Sequence, residues 1–320
     1  MKIYNITLMW TLFLSILMAL SSSSLFFLWM CLEINMMSFL PLINTKNMVS
    51  VNSAVIYFVI QAAASSLYIF SATSNMINYE FSFNKISLFM LCAMMIKVGA
   101  APFHMWFPLI SEGMSYSSFF ILSTAQKVIP LYMTSILLNN LIFYFIVTSA
   151  TLGSMGGFNQ TSIRKILAFS SITHLAWMMG LILYTNNMWI IYMMIYSMIM
   201  FFLIQAINQI NINTLSQINF PLKLNSMYFI ILLFTLGGLP PMVGFFMKWM
   251  ALKIIIFNNM TLTIPLVISS LINLYFYTRL SYSFFFKNFA FNKWGLKTMN
   301  KFTFFMSMNL LVIFVLIPLL

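Results

Sequence analysis

The sequence predicts an all-α, polytopic membrane protein on three observations. Hydrophobic residues make up 62% of the 320 residues and charged residues only 6%, whereas a soluble domain carries about 25% charged residues. The mean hydropathy is +0.98. Eleven apolar stretches alternate with short polar connections, and about 20 apolar residues suffice for an α-helix to cross the hydrocarbon. A soluble fold and a disordered chain are both excluded, because so few charges cannot cover a core this large.

Each predicted span is bounded by polar residues, as between Ser21 and Ser24 or at Asn139–Asn140. These connections leave no room for a soluble domain, so we expect one transmembrane domain over residues 1–320. A β-barrel would instead show segments of about ten residues with alternating polarity. The expected helices lie near 3–20, 25–43, 51–74, 86–107, 116–138, 141–157, 165–184, 188–210, 227–256, 261–284 and 302–320.

The net charge of +12 indicates orientation in a membrane rather than a nucleic-acid partner. When the loops of eleven spans are sorted by side, nine basic residues lie with the N-terminus and one, Lys85, lies opposite. Positively charged loops stay in the cytoplasm-like compartment. We therefore expect the N-terminus in that compartment and the C-terminus outside it. The nine residues are Lys2, Lys46, Arg164, Lys165, Lys223, Lys287, Lys293, Lys297 and Lys301.

Four charged residues lie well inside predicted spans, where each costs roughly 2.5–3.5 kcal/mol. Glu33, Lys97 and Lys127 are central in their spans, and Lys248 lies within the ninth span. The ordinary alternatives are snorkelling to the interface and a structural ion pair. Central residues are too deep to snorkel, and one glutamate can neutralise only one lysine. We therefore interpret the four residues as functional.

A buried lysine suits proton transfer, because burial lowers the pKa of an ammonium group from about 10.4 towards neutrality. A nearby carboxylate opposes this shift, so moving a carboxylate switches a lysine between holding and releasing a proton. The sequence supplies the groups for such a switch but not their geometry. Lys253 and Arg279 lie nearer the ends of their spans, and for both we favour snorkelling.

Two spans contain helix breakers beside a lysine. They read KVGAAPFHMWFP over 97–108 and GGLPPMVGFFMKW over 237–249. Proline interrupts a helix, and unwound backbone at membrane depth either packs in protein or lines a cavity. Paired interruptions in the two halves of a chain are typical of inverted-repeat transporters, and ordinary proline kinks are the alternative. We expect two broken-helix repeats, at about 25–138 and 141–284, followed by a C-terminal helix at about 302–320.

Other polar residues in the spans carry weaker signals. Ser123 lies one turn before Lys127, with Gln126 adjacent, and this pattern predicts hydration of the lysine. His174 shares a helix face with Ser170, which fits either a proton relay or packing with a single hydrogen bond. The sequence contains no nucleotide-binding, iron–sulfur or haem motif, so no cofactor is expected in this chain.

Five motifs spread over residues 32 to 249 occur together. They are LEINMMSFLPL from Leu32, KVGAAPFHMWFP from Lys97, STAQKVIP from Ser123, QTSIRKILAFSSITHLAW from Gln160 and GGLPPMVGFFMKW from Gly237. As a set they resemble the antiporter-like membrane subunits of mitochondrial NADH–ubiquinone oxidoreductase, respiratory complex I, in an insect-like form.

The resemblance implies a proton-translocating subunit in which Glu33 pairs with Lys97, Lys127 links two half-channels and Lys248 connects outward. It implies a multi-pass protein of the mitochondrial inner membrane, with the N-terminus in the matrix and the C-terminus in the intermembrane space. NADH, flavin mononucleotide, iron–sulfur clusters and ubiquinone would bind to other subunits. The implied partners are antiporter-like and small hydrophobic core chains, accessory subunits and lipids.

One departure from the family and two rival functions remain. Other family members carry a glutamate just after the proline, where this chain has Leu109, so Glu112 receives no role. A free-standing cation/proton antiporter would show the same pair of broken helices. A structural spacer of the membrane arm, without a proton path, is the second rival.

Overall fold

The structure is a computed structural model that describes residues 2–45, 47–77, 83–137, 140–185, 187–210, 214 and 224–286. Those ranges are almost entirely helical and form no β-strand. The helices are α1 (Lys2–Ser21), α2 (Leu25–Ile43), α3 (Met48–Ile77), α4 (Phe83–Val98), α5 (Trp106–Gly113), α6 (Tyr116–Ser123), α7 (Ala125–Ile136), α8 (Ile142–Phe158), α9 (Ile163–Tyr184), α10 (Met188–Ile210), α11 (Leu224–Gly237), α12 (Val243–Asn258) and α13 (Met260–Phe286).

The predicted all-α membrane class is confirmed, but eleven complete spans are not. Within the described ranges, six helices are long and apolar enough to cross a membrane: α1, α2, α3, α9, α10 and α13. Three predicted spans, 86–107, 116–138 and 227–256, are each divided into shorter helices. A fourth corresponds to α8, which has 17 residues. The predicted span 302–320 lies outside the described residues, as do Lys46, Glu80, Lys223 and the basic residues from Lys287 onward.

The chain divides into two compact units, Met1–Ser149 and Ala150–Leu320. In the first unit, α3 packs against α2, α4 and α5, and α7 packs against α1, α4 and α6. In the second unit, α9 packs against α10, α12 and α13, and α11 packs against α10, α12 and α13. Nearly every residue of α9 between Ile166 and Ile182 is buried, so α9 is the core helix of its unit.

The two predicted helix breakers end their helices in the same way. Helix α4 ends at Val98, and Gly99 follows with φ +77°. Helix α11 ends at Gly237, and Gly238 follows with φ +84°. At both ends the glycine N–H and the next N–H bond back to one carbonyl of the last turn. This is the usual glycine-terminated helix end, and it needs the left-handed φ that glycine adopts without strain.

A third interruption was not predicted. Helix α6 stops at Ser123 and α7 begins at Ala125, because Thr124 adopts φ −118° and ψ −79°. The Thr124 hydroxyl donates to the carbonyl oxygen of Phe120 at 2.7 Å, which competes with regular helical bonding. As a result, Lys127 lies in the first turn of α7.

Lys97 was expected beside an interruption of the predicted span 86–107, and it lies in the last turn of α4 because Gly99 ends the helix there. Glu112 falls between two predicted spans and was expected in a loop. That placement was wrong, since Glu112 lies in α5 and is exposed.

Candidate functional site

Two of the predicted lysines line one cavity in the first unit. Lys97 and Lys127 are both buried, with 6% and 1% of their surfaces exposed. The cavity has a volume of about 10 Å³, which is close to the minimum that holds one water molecule. Its wall is mixed in character, with polar groups between aromatic rings. The lining residues are Leu32, Asn35, Met36, Tyr57, Gln61, Lys97, Val98, Trp106, Phe107, Leu122, Gln126, Lys127 and Pro130.

The interruption after α4 places Lys97 against this cavity. Because the helix ends there, its last carbonyl oxygens lack helical donors. Gln61 Nε2 donates to the carbonyl oxygen of Lys97 at 3.3 Å, and Trp106 Nε1 donates to that of Ile96 at 3.2 Å. Two neutral side chains thus donate hydrogen bonds to the carbonyl oxygens at the end of α4. The Lys97 ammonium also lies at the negative end of the helix dipole, which favours a cation.

Glu33 is half-buried on α2, next to Leu32 of the cavity wall that Lys97 also lines. Its pairing with Lys97 and the role of that pair stay a prediction.

Lys127 contacts the aromatic ring of Phe107, which also lines the cavity. Its Nζ lies 4.7 Å from the ring centroid of Phe107, a distance at which an ammonium is attracted to the ring face. Pro130, one turn later, has no N–H to donate to the carbonyl of Gln126. Lys127 therefore lies against an aromatic face, in a turn of α7 that lacks one backbone hydrogen bond.

A chain of polar groups connects three helices beside the two lysines. The Tyr57 hydroxyl donates to Gln126 Oε1 at 3.2 Å, and Gln126 Nε2 donates to Asn35 Oδ1 at 3.1 Å. Gln126 was expected to hydrate Lys127, and it lines the same cavity. Ser123 was also expected to hydrate Lys127. Its hydroxyl instead donates to the carbonyl oxygen of Phe120, and Ser123 is not one of the residues that line the cavity.

Lys248, the third predicted lysine, lies in the second unit on α12. Its Nζ donates to the carbonyl oxygens of Gly237 at 2.8 Å and Leu236 at 3.2 Å. These oxygens end α11, so Lys248 caps that helix at the end where the helix dipole favours a cation. A Cβ atom on Gly238 would approach Lys248 Nζ to 3.2 Å, so the glycine leaves room for the ammonium.

The two remaining cations differ from each other. Lys253 is exposed and lies 5.2 Å from the ring centroid of Trp249, which fits the expected snorkelling. Arg279 instead donates to the carbonyl oxygens of Phe158 at 2.6 Å and Gln160 at 2.5 Å. The guanidinium thus caps the end of α8, and snorkelling is not its main role.

His174 is buried on α9 and forms a hydrogen bond that the sequence did not predict. Its Nδ1 lies 2.8 Å from the hydroxyl oxygen of Tyr192 on α10. Ser170, predicted on the same face, donates its hydroxyl to the carbonyl oxygen of Leu167. The expectation of packing with one hydrogen bond and that of a proton relay both remain open at this residue.

Sequence reasoning missed four of the cavity residues that matter: Asn35, Tyr57, Gln61 and Trp106. A usable signal existed for Tyr57 and Gln61, which are four residues apart in an apolar span and so share a helix face. Asn35 and Trp106 carried no comparable signal, because their positions depend on which helices pack together.

Comparison with known proteins assigns the chain to a family of transmembrane proteins. Residues 22–273 match the family NADH:quinone oxidoreductase/Mrp antiporter, transmembrane. NADH-ubiquinone oxidoreductase chain 2 of Anopheles gambiae is 39% identical over 92% of this chain and 90% of its own length. Chain 2 of the tick Rhipicephalus sanguineus is 38% identical over 96% of this chain and 98% of its own.

Two solved structures share the fold. A chain of respiratory complex I from Thermus thermophilus superposes with a TM-score of 0.84 and 19% identity, over 99% of this chain and 79% of that chain. A chain of the Mrp complex from Dietzia superposes with a TM-score of 0.73 and 18% identity, over 88% of this chain and 60% of that chain. At these identities the likeness concerns the fold alone.

Proposed function

The chain belongs to the NADH:quinone oxidoreductase/Mrp antiporter transmembrane family, and we propose that it moves protons by means of Glu33, Lys97, Lys127 and Lys248. It is a membrane-arm subunit of proton-translocating NADH:ubiquinone oxidoreductase, since relatives named chain 2 of that enzyme are 37–39% identical over most of its length. These relatives favour the enzyme subunit over the free-standing antiporter.

One observation carries the assignment of the site: two buried lysines share a cavity that has room for about one water molecule. A cation buried without a function costs free energy that apolar residues would avoid. A water between two lysines provides a route by which a proton can leave one and reach the other. The polar chain of Tyr57, Gln126 and Asn35 orients such a water.

The lysines have different roles in this proposal. Glu33 and the end of α4 both favour the charged form of Lys97, so Lys97 holds a proton when the carboxylate is near. Lys127 lies in the first turn of α7, where the helix dipole opposes a cation. When the influence of Glu33 on Lys97 is weakened, the proton moves to Lys127. Lys248 serves the second half of the path beside the interruption after α11.

We also propose that the interruptions after α4 and α11 lie at membrane depth, where unwound backbone lines a path for protons. The helices before and after each interruption then form parts of one span, which gives eleven spans in two inverted repeats. The chain lies in the mitochondrial inner membrane, with its N-terminus in the matrix and its C-terminus in the intermembrane space.

In this proposal NADH, flavin mononucleotide, iron–sulfur clusters and ubiquinone bind to other subunits. The chain contacts antiporter-like and small hydrophobic core subunits, accessory subunits and lipids. Its own residues bind, hold and release protons.

Substitution of Lys127 tests the proposal. Methionine cannot bind a proton, and arginine, with a pKa above about 12, does not release one. We expect Lys127→Met and Lys127→Arg each to lower NADH–ubiquinone turnover and proton pumping by about tenfold or more, in a complex that native electrophoresis shows to be assembled. The matched control is Lys253→Met, which removes an exposed lysine. Unchanged pumping by Lys127→Arg would show that Lys127 is a structural charge.

A further inference from the structure

A group of basic residues lies at one end of the second unit, where α8 ends and α9 begins. Arg164 and Lys165 lie in the first turn of α9, and both are half-buried. Arg279 on α13 reaches the same connection, since its guanidinium donates to the carbonyl oxygens of Phe158 and Gln160. We refer to Arg164, Lys165 and Arg279 as the basic cluster.

The sequence of the second unit supplies no carboxylate side chain to neutralise this cluster. The whole chain has three acidic residues, Glu33, Glu80 and Glu112, and all three precede residue 150, where the second unit begins. The helix dipole adds to the cost, because the first turn of a helix disfavours cations such as those of Arg164 and Lys165. An anion that comes from outside this unit would therefore stabilise the cluster.

Arg279 keeps hydrogen-bond donors for such an anion. A guanidinium has five N–H groups, and the two carbonyl oxygens accept from one N–H on each terminal nitrogen of Arg279. The side chain is half-buried, so it is not closed off from the surface of the unit. Guanidinium and ammonium groups both bind phosphate, because charge-assisted hydrogen bonds to its oxygens are strong. The chemistry of the cluster thus suits a phosphate group.

An exposed apolar surface continues from the basic cluster along α8 and α13. The rings of Phe158 and Tyr275 stack, with their centroids 4.9 Å apart and an interplanar angle of 13°. Tyr275 lies one turn before Arg279 on α13, so these two residues share a face of the helix. Phe158 and Tyr275 are exposed. Met155 and Leu271, one turn before each of them, are exposed as well.

We propose that the basic cluster binds the phosphate group of an anionic phospholipid, whose acyl chains lie along Phe158 and Tyr275. Helix α9 has 22 residues and is long enough to cross the hydrocarbon, so its first turn lies at the level of lipid headgroups. Basic pockets between transmembrane helices bind such headgroups. The apolar surface beside the cluster favours a lipid over a soluble anion and over an acidic segment of another protein. A zwitterionic lipid is disfavoured, because its ammonium group would add a cation.

Lipid binding at the basic cluster requires only that the chain lies in a membrane. It does not depend on proton transfer by Glu33 or the buried lysines. If Lys127→Met pumps normally, the proposed function fails and the lipid site stands. If the cluster binds no lipid while Lys127→Met stops pumping, the lipid site fails and the proposed function stands.

Photolabelling of the assembled complex tests the site. The purified complex is mixed with phosphatidylglycerol that carries a diazirine in one acyl chain, and the label is located by mass spectrometry of peptides. We expect label on the peptides that contain Met155, Phe158 and Tyr275. Phosphatidylcholine with the same acyl chain should label them about fivefold less, the effect of one charge at a membrane surface. Equal labelling by the two lipids overturns the inference.

Variants of the basic cluster provide the second arm. The double variant of Arg164→Gln and Lys165→Gln removes two charges and keeps the bonds of Arg279 to the end of α8. We expect its labelling by phosphatidylglycerol to fall by about tenfold. The matched control is Lys253→Gln, which removes an exposed lysine of the same unit and should keep full labelling. Full labelling of the double variant overturns the inference. Where the double variant does not assemble, the comparison of the two lipids on the unmodified complex still decides.

Two competitions identify other occupants. Inorganic phosphate in excess should leave the label unchanged relative to potassium chloride of equal ionic strength. Loss of label in phosphate alone would show a site for a soluble anion and overturn the inference. A carbodiimide, which couples lysines to neighbouring carboxylates, should not join Lys165 to another subunit. Such a bond would show that an acidic protein segment covers the cluster, and it too overturns the inference.

Discussion

At the scale of single residues, the cations within the helices differ in the groups that surround their charge. Lys248 and Arg279 bind carbonyl oxygens at helix ends, so each has a structural partner for its charge. Lys97 and Lys127 instead face a cavity, and Glu33 follows Leu32 of the cavity wall on α2. A proton on a cavity lysine can therefore move without breaking a helix cap. A proton that leaves Lys248 also weakens the end of α11.

Glu33 offers the sharpest test at this scale. Glu33→Gln keeps the size of the side chain and removes the charge that acts on Lys97. We expect turnover to fall by about tenfold, the rate effect of about 1.4 kcal/mol. Glu33→Asp, which keeps the charge, should retain most of the activity. The matched control is Glu112→Gln on α5, an exposed carboxylate. Equal losses in the two glutamine variants would contradict a specific role for Glu33.

At the scale of helices, the interruption after α11 depends on a close approach of α12. A Cβ atom on Gly244, in the first turn of α12, would collide with the carbonyl group of Thr235 on α11. Main chain at such a contact cannot rotate away as a long side chain can. The glycine therefore lets α12 begin beside α11 and brings Lys248 to the carbonyl oxygens of Gly237 and Leu236.

Gly244→Ala is accordingly expected to destabilise the second unit by about 1–3 kcal/mol, as overpacking does. The level of assembled complex on native electrophoresis and its thermal midpoint would both fall. Gly237→Ala is the matched control, since a Cβ there meets its nearest neighbour at 3.5 Å, an ordinary contact. If the two variants assemble equally well, the close approach is not needed.

At the scale of the whole molecule, α9 gives a direct test of orientation. It spans residues Ile163–Tyr184, about 33 Å at 1.5 Å per residue, which is enough to cross the hydrocarbon. Thr161 and Asn187 are exposed just beyond its two ends. The positive-inside pattern predicts that Thr161 faces the matrix and Asn187 the intermembrane space.

We expect an impermeant thiol reagent, added to intact mitoplasts, to label Asn187→Cys and to spare Thr161→Cys. The unmodified chain supplies the background, because Cys31 is buried and Cys92 is half-buried. Detergent should expose Thr161→Cys to the reagent. The reverse pattern in intact mitoplasts would place the N-terminus outside the matrix.

The class of the protein and most helix bounds follow from the pattern of apolar and polar residues along the chain. Apolar length alone predicted α2, α9 and α10 to within about two residues, because hydrogen bonding in a membrane requires complete helices. The glycines and prolines also predicted that helices end near Gly99 and Gly238, since the steric restriction on φ is a local property of the chain. The sequence also indicated four functional residues, because a charge in an apolar span is costly wherever the span packs. They are Glu33, Lys97, Lys127 and Lys248.

Which of these residues meet depends on how the helices pack in the folded chain. The cavity that joins Lys97 to Lys127, the capping of α11 by Lys248 and the bond between His174 and Tyr192 each connect different helices. Helix periodicity indicates which residues share a face, but not which face of another helix lies opposite. That choice depends on the packing of side chains from several helices at once, and it is a property of the folded chain rather than of any one segment.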